Sequence, residues 1–189
     1  MRRGFKQDAE REALAYRKTL SLAGHMKLPA ADLAKHLGIR IITPRDVPGL
    51  SAMDLSRLLE ADEGSWSGVT LTRAGFSIII CNPSHSLRRQ ESDIMHELAH
   101  LICRHDPATR LDLRDCPFFL RTYDQAQEDE ANWLGGALQV PRAGLVWAMV
   151  RKMDKQAMAL HFGASEQMVE FRCRMTGIRK QIPRACAKR

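Results

Sequence analysis

No stretch of this chain stays apolar for the ~18 to 20 residues that a bilayer span requires, so membrane contact is not expected. Its opening residues, MRRGFKQDAERE, are charged and lack the apolar core of a secretory signal, which leads to the expectation of a cytoplasmic protein. CxxC pairs are also missing. The five cysteines, Cys81, Cys103, Cys116, Cys173 and Cys186, are odd in number and scattered, which argues against a disulfide framework and against a thiolate zinc knuckle. Reduced, mostly buried thiols are expected instead. There is no internal repeat and no low-complexity linker, and 189 residues suffice for one domain with a real core.

The formal charge is unevenly spread. Between Phe171 and Arg189 stand Arg172, Arg174, Arg179, Lys180, Arg184, Lys188 and Arg189 without a single Asp or Glu, and this segment carries the whole formal charge of +7. Aromatic residues are nearly absent from it too, Phe171 being the sole example. That composition suits weak, sequence-independent contact with DNA phosphates rather than base stacking.

What is present reads as helices, then a small sheet, then helices, which makes an α+β single domain. DAEREALAYRKTLSL and PAADLAKHLG have helical spacing, the second stopped by Gly38, and IRIIT reads as a strand. A third helix is expected over SAMDLSRLLEAD, and two strands about a Gly-containing turn over SGVTLTRAGFSIIICN. PSHSLRRQESDIMHELAHLICRH runs from a turn into a long helix, whereas residues 106 to 124, with Pro107, Pro117 and several charges, are expected to be loop. AQEDEANWLGGALQVP is a helix ended by Pro141, and three short helices precede the basic tail.

The stretch SDIMHELAHLIC concentrates the chemistry. His96 and His100 are four apart, hence on one helical face about one turn, ~6 Å, from each other, so both imidazoles can reach one ion. Glu97 is rotated ~100° from His96 and can flank the ion without competing for the same direction. Zinc held by three protein groups keeps a position for water and brings its pKa to about 7, and a neighbouring carboxylate can take the proton and pass it to a leaving amine. Ile94, Met95, Leu98, Ala99, Leu101 and Ile102 surround the triad, and a buried histidine pair without a partner is costly.

The third ligand must come from elsewhere. An HExxHxxGxxH arrangement would need Gly at Cys103 and His at Asp106, and His105 lies ~140° around a continued helix from His100. Cys103 is within reach but reads better as a small buried hydrophobe. QEDEANWLGG offers Glu128 and Asn132 on one helical face that continues through Gly135, where the missing side chain permits close helix approach. Glu128 is therefore the expected ligand and Asn132 a residue that orients one, while Glu130, turned ~200° away, should point elsewhere.

SLRRQESDIMHELAHLICRH followed by EDEANWLGGALQVP resembles the ImmA/IrrE family of bacterial metallopeptidases over roughly residues 30 to 175. The strand ending in CNP fits as well, while Leu134, the pair Gly135–Gly136, Gln139 and Val140 depart from the family's usual residues. The resemblance implies a compact thermolysin-like (gluzincin) fold, one Zn2+ held by His96, His100 and Glu128, and limited proteolysis of helix-turn-helix regulators by a chain whose catalytic base is Glu97. His85, Arg88, Arg89, His105 and Tyr123 are the candidates for stabilising an oxyanion. QAMALHFGASEQMVEFRCRM has Ala159, Gly163 and Val169 at helix-turn-helix offsets, with Leu160 and Phe162 available for packing. The expected division is therefore a peptidase core over 1–150, a helix-turn-helix-like segment over 151–176 and a basic tail over 177–189. A DNA-binding regulator that retains a metal site, and a non-catalytic interaction module, are the competing classes. An intact Glu97 favours the enzyme, since a binding module needs no base.

Overall fold

A computed structural model describes residues 1–60, 66–73, 75–105, 109–113, 116–120 and 124–181, the segments 109–113 and 116–120 through their backbone. Helices α1 (Phe5–Thr19) and α2 (Ala30–His36) lead into strand β1 (Arg40–Ile42), and α3 (Ala52–Glu60) precedes β2 (Gly68–Arg73) and β3 (Phe76–Cys81). Next come α4 (Leu87–Ile102), strands β4 (Thr109–Leu113) and β5 (Cys116–Leu120), and helices α5 (Gln125–Gln139), α6 (Arg142–Val150), α7 (Lys155–Phe162), α8 (Glu166–Thr176) and α9 (Ile178–Gln181). The α+β class stands, and among the described residues no helix is long and apolar enough to cross a membrane.

The strands form one sheet in the order β1-β3-β2-β5-β4, with β1 parallel to β3 and the remaining pairs antiparallel. Residues 106 to 124 are not merely loop, as expected, because β4 and β5 make a hairpin there. TRLDL has the alternation of a strand, and β5 meets β2 only at Thr72↔Phe119. Pro117, which has no N–H to donate, thus lies outside the stretch that a second ladder would use. The short α9, in what was expected to be tail, is the other addition.

Two buried clusters hold the molecule together. The first joins α1, α2, α4 and α5 through residues such as Phe5, Leu33, Met95, Leu98, Leu134 and Leu138, and the second joins the C-terminal helices through Leu145, Phe162, Val169 and Ile178. Along α1 the buried residues Phe5, Ala9, Ala13 and Arg17 fall every fourth position, a helical stripe whose last member is a fully buried arginine. Arg17 is satisfied by carbonyls, donating to Ala13 (3.1 Å), Met26 (3.0 Å) and Leu138 (2.7 Å). Burial lowers its pKa to about 10, which still leaves it charged at neutral pH. Arg172 of α8, also 0% exposed, donates to the Val140 carbonyl at 2.9 Å and pairs with Glu10. Two buried guanidinium groups therefore take up the carbonyls at the negative end of α5.

Helix α5 crosses α4 at Gly135. A Cβ there would stand 3.1 Å from the Met95 carbonyl and 3.2 Å from the His96 Cα, so any larger residue would push the α4 backbone back by a few tenths of an ångström. Leu134 and Val140 are buried, and Gln139 accepts a hydrogen bond from the Ser92 hydroxyl at 2.9 Å.

Candidate metal centre

His96 and His100 project from one face of α4, and Glu128 enters from the first turn of α5, where the positive end of the helix dipole favours a carboxylate. Asp124 caps that turn, its side chain accepting from the amides of Ala126 (2.8 Å) and Gln127 (3.4 Å). The close approach at Gly135 sets the distance between the two helices. As a result His96 Nε2 lies 3.0 Å from His100 Nε2 and 3.2 Å from Glu128 Oε2, while His100 Nε2 lies 3.1 Å from Glu128 Oε1. Four-coordinate zinc with bonds of about 2.0 to 2.1 Å separates its ligand atoms by roughly 3.3 Å, so the triangle has the size and donor types that such an ion needs. The three ligand atoms lie within 4.8 Å of one another. The His100 side chain is only 3% exposed, whereas those of His96 and Glu128 are partly open, which leaves one side of the triangle accessible.

Of the three ligands, His96 lines a cleft of about 360 Å³ whose walls also include Ser67, Asp93, Glu97, Asn132 and Gly135. Glu97 reaches toward β2, where the Thr70 hydroxyl donates to its Oε2. Residues 68 and 70 share a strand face, and Gly68 lies against Glu97 as well, a Cβ there falling in ordinary contact distance, 3.4 Å, of the Glu97 Cγ. Nothing in the local pattern around Thr70 singles it out. Its contact with Glu97 arises from packing β2 on α4.

The other expected residues are distributed as follows. Asn132 is exposed on the cleft wall and makes no hydrogen bond among the described residues. Cys103 packs against the first cluster, where burial, with the Glu130 charge second, raises its pKa to about 11, and it does not join the group of His96, His100 and Glu128. Of the oxyanion candidates, His85 is buried against Asp93 (Nδ1 to Oδ2 2.7 Å), Arg88 is exposed, and the Arg89 Nε lies 3.9 Å from Asp93. None of these lines the cleft, and Tyr123 lies outside the described residues. Glu130 does point away from the three ligand atoms, yet it meets His105, which in turn contacts His100.

Two histidines and a glutamate that could hold a metal ion, with a second glutamate in the adjoining cleft on an α+β scaffold, are what a metallopeptidase-type domain requires, and the family match gives that class. The chain belongs to the peptidase M78 family, matching its IrrE N-terminal-like domain over residues 34–174, from α2 to α8. No curated protein and no solved structure matches the chain.

Proposed function

We propose that the protein is a zinc-dependent endopeptidase of the cytoplasm that cuts a helix-turn-helix regulator at a limited number of bonds. The observation that carries this reading is the placement of Glu97 in an open cleft directly beside the triangle of His96, His100 and Glu128. Zinc bound by that triangle supplies a Lewis acid and makes a water molecule acidic near neutral pH. Glu97 accepts the proton from the attacking water and delivers it to the departing amine. Thr70 holds the Glu97 carboxylate on the side of β2 while this happens. The ligand arrangement, two histidines from one helix and a glutamate from the next, supports a thermolysin-like, gluzincin organisation of the core.

The restriction to a folded regulator rests on the family. The direct test is to incubate the purified chain with such a protein, with and without a zinc chelator, and to follow fragments by mass spectrometry. A few defined cuts that disappear with the chelator and return with zinc are expected. Cleavage indifferent to the chelator would overturn the zinc mechanism.

Helices α7 and α8 support a helix-turn-helix-like segment, joined through Gly163 at φ +64° with Ala159 and Val169 buried between them. Phe162 is buried there, whereas Leu160, expected to pack, is 62% exposed. The basic segment has less free charge than its composition indicates, since Arg172 is buried and Arg179 forms a two-pronged pair with Glu170 (2.9 and 2.7 Å). We therefore propose only weak, non-specific DNA contact through Arg174, Lys180 and the basic residues beyond 181. Fluorescence anisotropy with two unrelated duplexes should show equal, weak binding that falls steeply with salt. Tight, salt-tolerant and sequence-selective binding would instead favour a regulator.

A further inference from the structure

Helix α4 ends at Ile102, and the way it ends turns His105 back onto the metal centre. The His105 amide donates to the His100 carbonyl (3.1 Å) and the Arg104 amide to that of Leu101 (3.1 Å), with Arg104 at φ +54°. This is the Schellman pattern, in which the second residue past the cap folds over the residue five before it. A continued helix would have carried His105 ~140° away from His100. The turn instead sets His105 Nδ1 2.9 Å from His100 Nδ1, the ring nitrogen that faces away from the ligand triangle. His105 Nε2 lies 3.4 Å from Glu130 Oε2, and Glu130 Oε1 accepts from the Arg2 amide at 2.7 Å. Both side chains are largely buried, 7% and 14% exposed.

We propose that His105 and Glu130 are positioning residues that orient His100 for the metal through a carboxylate–histidine–histidine relay. This rests on the zinc reading above. Glu130 as a carboxylate only accepts, so the proton it faces belongs on His105 Nε2 and leaves His105 Nδ1 with a lone pair. His100 must then donate from Nδ1, which leaves its Nε2 lone pair directed at Glu128 and His96. The opposite order would set the bare His105 Nε2 against a carboxylate and put a proton on the nitrogen that binds the metal. A ligating histidine usually donates its second N–H directly to a carboxylate or carbonyl, whereas here a second imidazole stands between the two.

The test uses the full chain and zinc alone. Zinc affinity is measured by competition with a chromophoric chelator for the wild type, His105→Leu, His105→Asn and Glu130→Ala, and the ring nitrogens of the zinc-loaded proteins are followed by 15N NMR. His105→Leu and Glu130→Ala should each weaken zinc binding about 10- to 100-fold. His105→Asn should recover most of the loss, because its Oδ1 stands where Nδ1 stood and accepts the same hydrogen bond. In the wild type His105 should carry its proton on Nε2, and the His100 Nδ1–H should exchange slowly; that signal should persist in His105→Asn and exchange rapidly in His105→Leu. A proton on His105 Nδ1, wild-type affinity in His105→Leu, or an asparagine variant no better than the leucine one would overturn the relay. A wild type that binds no zinc would overturn the metal reading and the relay together, whereas zinc-binding wild type with an indifferent His105→Leu removes the relay alone.

Discussion

Glu97→Gln is expected to abolish peptide cleavage while leaving the fold and the bound zinc in place. The amide keeps an oxygen that can accept the Thr70 hydroxyl, so the contact between α4 and β2 survives. It also leaves His96, His100 and Glu128 untouched. What it removes is the capacity to take a proton, and general-base catalysis contributes about 10²- to 10⁴-fold. Rates measured on a cognate substrate, alongside elemental analysis of the same preparation, check both halves of the expectation. Cleavage by a zinc-loaded Glu97→Gln at more than about a tenth of the wild-type rate would move the base elsewhere or show that the site is not hydrolytic.

The second large effect concerns the third ligand. Glu128→Ala should remove one corner of the triangle and lower zinc affinity by more than about a hundredfold, beyond the loss expected from any supporting residue. His96→Ala and His100→Ala should behave alike, and zinc at one equivalent per chain in the wild type should fall to a trace in each. Helical phase alone would make Glu130→Ala silent, because its carboxylate projects ~200° from that of Glu128. The contact between Glu130 and His105 replaces that expectation with an intermediate loss. The order wild type, Glu130→Ala, Glu128→Ala in decreasing affinity is therefore the expected result. Unchanged zinc content in Glu128→Ala would remove that residue from the site.

How much of this was legible varies from residue to residue. His96 and His100 could be paired from spacing because the period of a helix places residues four apart on one face whatever surrounds it. Glu128, Asn132 and Gly135 were legible as one face for the same reason, and the glycine indicated a close crossing without naming the partner helix. His105 was misplaced because helical phase was extended past the residue where α4 stops, and the left-handed turn at Arg104 carries no glycine to announce it. The β4–β5 hairpin was hidden by Pro117 and the surrounding charge, since a proline reads as a break unless its side of the ladder is known to be unused. Arg172 was counted with the tail charge, although it lies buried against α5.

The sequence by itself determined the α+β order of elements, the convergent histidine pair, the carboxylate beside it and the helix that supplies a third group, because each depends on periodicity within a single element. Only the tertiary structure decided that Thr70 holds Glu97, that His105 and Glu130 stand behind His100, and that Arg17 and Arg172 cap α5. These contacts join residues from separate elements, up to 121 positions apart for Arg17 and Leu138. Local backbone preference cannot set such pairings; they follow from which apolar faces bury together and from the polar groups that burial then obliges to find partners.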